Sequence, residues 1–218
     1  EIEARLRAEL DIPVFHDDQH GTAIVTLAAL LNSLKLVKKH LNAVKIVING
    51  AGAAGIAIAK LFTTAGVEHI CICDSKGILS TSRTDLNPEK QEFAVSQTGT
   101  LADAMVGADV FLGVSAPGVV SPEMVKSMAK DPIVFAMANP IPEIQPELVN
   151  NDVAVMATGR SDYPNQINNV LAFPGVFRGA IDCRANQISI SMCLEAAKAI
   201  ASLINPNELS REYVVPSV

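Results

Sequence analysis

Three groups of residues have the types and spacing that chemistry needs. Gly50-Ala51-Gly52-Ala53-Ala54-Gly55 sets three glycines in a G-x-G-x-x-G pattern. His16-Asp17-Asp18-Gln19-His20-Gly21 holds two adjacent carboxylates between two histidines. Asn139-Pro140-Ile141-Pro142-Glu143 and Asn165-Gln166-Ile167-Asn168-Asn169 gather neutral amides. Glycines let a phosphate approach the backbone, carboxylates bind hard cations, and amides orient a polar ligand without adding charge.

The glycines gain meaning from their neighbours. The β-branched run Val44 to Asn49 precedes them, and a helical pattern from Ile56 to Ala65, closed by Gly66, follows. That strand, turn and helix context turns a weak pattern into a dinucleotide fingerprint. Gly50 permits the tight turn, Gly52 leaves room for a pyrophosphate, and Gly55 lets helix and strand pack closely. Backbone amides at the helix start, around Ala53 and Ala54, face the anion. Asp74 ends a second strand, His69 to Asp74, where a carboxylate accepts hydrogen bonds from the adenosine ribose. That favours NAD, although Lys76 could partly accommodate the 2′-phosphate of NADP; the plainer alternative for Asp74 is a solvated strand-end acid. Ser115, in Gly113-Val114-Ser115-Ala116-Pro117-Gly118, follows a later strand and could line a cofactor or simply a turn.

Asp17 and Asp18 stand just before a long apolar helix. They could hold Mg²⁺ or Mn²⁺ through oxygen. On spacing alone a helix cap is the stronger reading, because one pair supplies too few ligands for a metal site. His16 and His20 read as hydrogen-bonding partners of that loop. Asn139 could bind a carboxamide or carboxylate, and the amides from Asn165 to Asn169 could do the same; turn formation and capping explain both groups equally well.

The elements that must position these residues alternate strand and helix. After the fingerprint, apolar strands are expected at Asp109–Val114, Ile133–Ala138 and Val153–Ala157. Helices are expected at Pro88–Val95, Leu101–Val106, Pro122–Met128 and Ile188–Ile204, with an exposed loop at Leu79–Thr84. Such alternation implies an α/β, Rossmann-type doubly wound fold, mostly parallel, with helices on both faces. Residues 1–44 are expected to form an N-terminal segment, an acidic loop and a long helix packing on a cofactor domain at 45–218. The 49% hydrophobic and 18% charged composition of the 218 residues excludes a disordered chain. A formal charge of -6 and the absence of Trp argue against nucleic acid as a partner. The smoothest apolar stretch, Thr22 to Leu31, is about half of the ~20 residues a bilayer crossing needs, so a buried helix rather than a membrane span is expected. Four cysteines without a C-x-x-C motif suit structural thiols in a reducing cytoplasm.

Taken together, Val14-Phe15-His16-Asp17-Asp18-Gln19-His20-Gly21-Thr22-Ala23, the glycine fingerprint, Asp74-Ser75-Lys76-Gly77, Asn139-Pro140-Ile141-Pro142-Glu143 and Asn168-Asn169 ahead of Phe173-Pro174-Gly175 resemble the malic enzymes of the smaller bacterial and archaeal form. The resemblance implies oxidative decarboxylation of L-malate to pyruvate and CO₂ with NAD(P)⁺ and Mg²⁺ or Mn²⁺. It implies that Asp18 is a metal ligand with Asp17 beside it. It also implies that Asn139, Asn168 and Asn169 serve malate and the nicotinamide end. The catalytic Lys and Tyr of the family would lie upstream of this chain, which by itself is expected not to turn over malate, and the intact enzyme would be a homo-oligomer. Two other readings stay open: a non-catalytic, redox-sensing dinucleotide module, and a different NAD-dependent dehydrogenase.

Overall fold

The computed structural model describes residues 2–218, so Glu1, the first residue of the expected N-terminal segment, lies outside the described residues. Six strands form one sheet: β1 (Lys45–Asn49), β2 (His69–Asp74), β3 (Gly77–Ile78), β4 (Val110–Gly113), β5 (Ile133–Ala136) and β6 (Val155–Thr158). Their order is β3-β2-β1-β4-β5-β6. Every pairing is parallel except β2 with β3, which is antiparallel at the edge. The order reverses direction at β1 and β4, the crevice where doubly wound sheets bind ligands.

Residues alternate between two cores. Ile46, Ile48, Leu112, Phe135 and Ala157 face helices α2 (Thr22–Val37), α3 (Ala53–Ala65) and α8 (Ile190–Ser202). Val47, Phe111 and Val134 face the other way, against Met105 of α5 (Leu101–Met105) and Val125 of α6 (Pro122–Lys126). Burial on both faces explains why these strands read as continuous apolar runs.

Helix α2 is buried on most of its surface, from Ala23 to Leu30 without interruption. With the preceding wide turn, Asp17–Gly21, it is long and apolar enough by length and composition to cross a membrane, yet it packs between α3 and α8 in the core. A helix apolar all round belongs in such a place. It stops at Lys38, whose left-handed backbone (φ 56°) lets its N–H bond the carbonyl of Leu34.

Several boundaries differ from expectation, each for a local reason. Helix α3 starts at Ala53 rather than Ile56, because Gly52 is its N-cap and Gly55 already lies in the first turn. Strands β4 and β5 end at Gly113 and Ala136, so Val114 and Met137 start the loops instead of extending the ladder. Helix α4 (Pro88–Gln91) is shorter than expected, since Val95 leaves it to bond Leu79 and Thr81. The supposedly exposed loop at Leu79–Thr84 begins buried: Leu79 and Ser80 are covered, and Leu79 N–H bonds the Ile72 carbonyl at 2.8 Å. Two helices were not anticipated, α1 (Ile2–Glu9) and α7 (Phe173–Asp182). The second contains Pro174 in its first turn, where the missing N–H costs nothing.

Candidate functional site

The carboxyl ends of β1, β4, β5 and β6 open on a cleft of about 920 Å³. Asp18, Ala54, Ser115, Asn139, Asn168 and Asn169 line it. Residues from five separate stretches of chain therefore meet at one place.

The glycine turn forms one end. The Gly50 amide bonds the Cys73 carbonyl at 2.9 Å, which draws the turn against the end of β2 and next to Asp74. Gly50 has φ +127°, and a Cβ there would lie 2.5 Å from the Val114 carbonyl oxygen. At Gly55 a Cβ would stand 1.8 Å from the Gly50 oxygen, so close helix packing requires glycine. Gly52 differs: it is exposed, and a Cβ would meet nothing within 4 Å. No contact inside the fold demands glycine there.

Asp74 is not a free acid. Arg83 grips it with two bonds, Nη1 to Oδ1 at 2.8 Å and Nη2 to Oδ2 at 2.9 Å, and Lys90 Nζ stands 3.5 Å from Oδ2. The Arg83 guanidinium holds the Asp74 carboxyl below the usual carboxylate range, although partial burial opposes it. The solvated-acid alternative fails at this position. Lys76, the cation singled out from sequence, instead pairs with Asp85 at 2.7 Å and is largely exposed. Arg83 was missed because its loop looks like ordinary Ser/Thr-rich connection; Leu79, the first apolar residue of that loop, was the signal that it folds back.

The acidic turn forms a neighbouring wall, packed against α3. Asp17 Oδ2 accepts a bond from Asn169 Nδ2 at 2.5 Å, while Oδ1 is buried with no partner. Burial pushes the Asp17 carboxyl up, the adjacent Asp18 charge adds to that, and His16 counteracts it in part. Gly21 makes this seat possible, since a Cβ there would lie 2.2 Å from Asp17 Oδ1. Neither aspartate caps the helix: no side chain bonds the first amides of the wide turn or of α2. The capping reading favoured on spacing is therefore corrected, because Asp17 turns to Asn169 and Asp18 lines the cleft. His20 does bond a neighbour, with Nε2 2.7 Å from Glu3 Oε1.

The amide cluster divides its work. Asn165 is structural, donating to the Met156 and Arg211 carbonyls at 2.9 and 2.8 Å and accepting from Val214 N–H at 2.9 Å. Asn168 accepts from the Val170 amide at 3.1 Å, so it is a local cap as well as a lining residue. Asn139 keeps its side chain on the cleft beside Arg160, which follows β6 and donates to the Pro140 carbonyl at 2.9 Å. Arg160 was also missed from sequence; it pairs with Asp162 at 2.5 Å, leaving its charge largely matched.

The donor set suits a hard cation. A partnerless buried carboxylate oxygen on Asp17 lies beside the cleft-lining Asp18, and both offer oxygen. No group of three or more His, Cys, Asp or Glu residues gathers around them among the described residues.

Comparison with known proteins identifies the family and the fold. Residues 19–218 match the family described as "Malic enzyme, NAD binding domain". The NAD-dependent malic enzyme of Geobacillus stearothermophilus is 60% identical over 100% of this chain and 47% of its own length. The NADP-dependent malic enzyme of Rhizobium meliloti is 52% identical over 97% of this chain and 29% of its own length. The crystal structure of the NAD-dependent malic enzyme from Thermotoga maritima superposes with a TM-score of 0.93 at 45% identity, covering 99% of this chain and 58% of that one. The chain thus spans about half or less of the length of these curated relatives. The six-stranded, mostly parallel sheet matches the Thermotoga protein's fold across nearly the whole chain, and the chain belongs to the malic enzyme family, within its NAD-binding domain.

Proposed function

We propose that this chain is the dinucleotide-binding part of an enzyme that converts L-malate to pyruvate and CO₂ and passes the hydride to NAD(P)⁺, with NAD the better fit. The observation that carries this reading is Gly52, a glycine that the fold does not need and that a pyrophosphate lying on the turn does.

Each residue then has a task. The first amides of α3, at Ala53 and Ala54, face the pyrophosphate at the positive end of the helix. Gly50 and Gly55 set the turn that aims them. Asp74, held by Arg83, Lys90 and the Lys76 amide, meets the ribose hydroxyls by exchanging one of these bonds, the long one to Lys90 being the weakest. Ser115 and Asn139 flank the nicotinamide end, with Asn168 beside them, while Asn139 and Asn169 orient the malate carboxylates and hydroxyl without adding charge. Asp18, with Asp17 at its side, would hold Mg²⁺ or Mn²⁺. A divalent cation held by these carboxylates would supply Lewis-acid polarisation of a substrate oxygen. The reaction also needs a base for the malate hydroxyl and an acid for the enolate. No lysine or tyrosine lines the cleft among the described residues, which fits a reading in which both come from another part of the enzyme.

The test uses the gene product at its natural length, supplied with L-malate, NAD⁺ and Mn²⁺. Reduced cofactor and pyruvate are expected in equal amounts, and Asp18→Ala is expected to abolish both. Turnover of Asp18→Ala close to wild type would remove Asp18 from the cation site.

A further inference from the structure

Glu143 has no part in the reading above, yet it is the only acidic side chain among the fully covered polar residues described. It closes the loop that begins at Asn139 and turns back beneath the carboxyl edge of the sheet. Its Oε1 accepts from the Ser115 amide at 2.9 Å and, more weakly, from the Ser115 hydroxyl at 3.4 Å. Its Oε2 accepts from the Ala138 amide at 3.0 Å. Asn49, at the end of β1, donates to Ser115 Oγ at 2.7 Å. One carboxylate thus joins the loops after β4 and β5, and through Ser115 it reaches the strand that leads into the glycine turn. Backbone bonds reinforce the seam, from Gly118 N–H to the Pro142 carbonyl at 3.2 Å and from Val120 N–H to the Glu143 carbonyl at 3.1 Å.

Gly113 is shaped for this carboxylate. A Cβ at Gly113 would fall 2.2 Å from Glu143 Cδ and 2.5 and 2.6 Å from its two oxygens. No cation pairs with Glu143 among the described residues, and burial pushes its carboxyl up while the Ser115 and Ala138 amides pull it back. An unpaired buried carboxylate is a costly way to fill space, since an apolar side chain of similar size would pack there without the desolvation penalty. What the carboxylate does that an apolar group cannot is hold two backbone amides from different loops at a fixed separation. Those loops carry Ser115 and Asn139 into the cleft.

We propose that Glu143 is a positioning residue that locks the loops after β4 and β5 at the spacing the nicotinamide half of the cofactor requires. This rests on the dinucleotide reading of the cleft. The adenine half, at the glycine turn and Asp74, does not depend on the lock.

Glu143→Gln keeps the shape but sets an NH₂ against one of the two backbone amides, replacing a bond with a donor–donor contact. Gly113→Ala leaves the carboxylate chemistry intact and displaces it by steric contact. Affinities for NADH and for ADP, which lacks the nicotinamide half, are measured on the wild type and on both variants, with circular dichroism to check the fold. NADH binding is expected to weaken about tenfold or more in a folded variant, the equivalent of one charge-assisted hydrogen bond, while ADP affinity changes less than about twofold. Equal weakening of NADH and ADP, or no weakening of NADH, would overturn the positioning role. Loss of fold in both variants would also overturn it, by assigning Glu143 to stability alone. Failure of the wild type to bind NADH is a different result and removes the dinucleotide reading itself.

Discussion

Asn169 Nδ2 donates to Asp17 Oδ2 at 2.5 Å, joining residues 152 positions apart and closing the acidic turn onto the amide cluster. The other oxygen of Asp17 is buried without a partner. One side chain thus both braces a wall of the cleft through Asn169 and buries an unpartnered oxygen beside Gly21. Such an arrangement costs stability and is found where a ligand completes it.

That cost is measurable as a pH-dependent gain on neutralising the site. Asp17 has its folded carboxyl raised above the ordinary 3.8, by burial first and then by Asp18. A raised group contributes most below the unfolded value and loses its contribution as pH rises through the folded value. Asp17→Asn is therefore expected to melt higher than wild type at pH 7 and above, by about 1 kcal/mol or less because solvent screens the rim of the cleft. The gain should shrink toward zero near pH 3. A wild type more stable than Asp17→Asn at pH 8 would refute the strain.

The ion pair of Asp74 with Arg83 leads to the opposite sign. Arg83 holds the folded carboxyl below the unfolded value of 3.8, so the pair stabilises the fold at neutral pH and that contribution fades as pH falls through the folded value. Asp74→Asn should lose about 1 kcal/mol at pH 7 and almost nothing under strongly acidic conditions, by denaturant midpoint.

Cofactor choice follows from the same pair. Removing the carboxylate with Asp74→Ala releases Arg83 from one of its two acidic partners, Asp85 remaining, and leaves it with Lys90 to meet a 2′-phosphate. The ratio of NAD to NADP affinity is expected to move toward NADP by about tenfold, roughly one new charge-assisted contact. Calorimetry giving an unchanged ratio would detach Asp74 from the ribose.

The glycines separate folding from binding. Gly55→Ala drives a Cβ to 1.8 Å from the Gly50 oxygen and should cost about 3 kcal/mol or more, read from the melting transition. Gly52→Ala meets nothing in the fold and should change stability by no more than about 0.5 kcal/mol. Its expected effect falls on the cofactor alone.

The strand, turn and helix around Gly50 were legible in the sequence because all their determinants are contiguous. The alternation of Ile46, Val47 and Ile48 into opposite cores follows from strand geometry, and the parallel order follows from the intervening helices. What stayed hidden depends on tertiary approach. Asp17 looked like a cap because its partner Asn169 arrives from the far end of the chain, and Arg83 looked like loop because only the return of Leu79 to Ile72 brings it to Asp74. Helix α7 was concealed by Gly175 and Gly179, whose low helix propensity is overridden by packing of Phe177 and Ala180 on the core. Glu143 reads as the polar end of a proline-rich loop; Gly113, thirty positions earlier in the chain, is where its role is written.

The central claim, that the cleft takes a dinucleotide along the Gly50–Gly55 turn, is tested most directly by titrating the chain with NADH and following its emission, wild type beside Gly52→Ala. Saturable one-to-one binding to the wild type, displaced by NAD⁺ and weakened about tenfold or more in the still-folded Gly52→Ala, is the expected result. No binding to the wild type at millimolar NADH, or undiminished binding to Gly52→Ala, would contradict it.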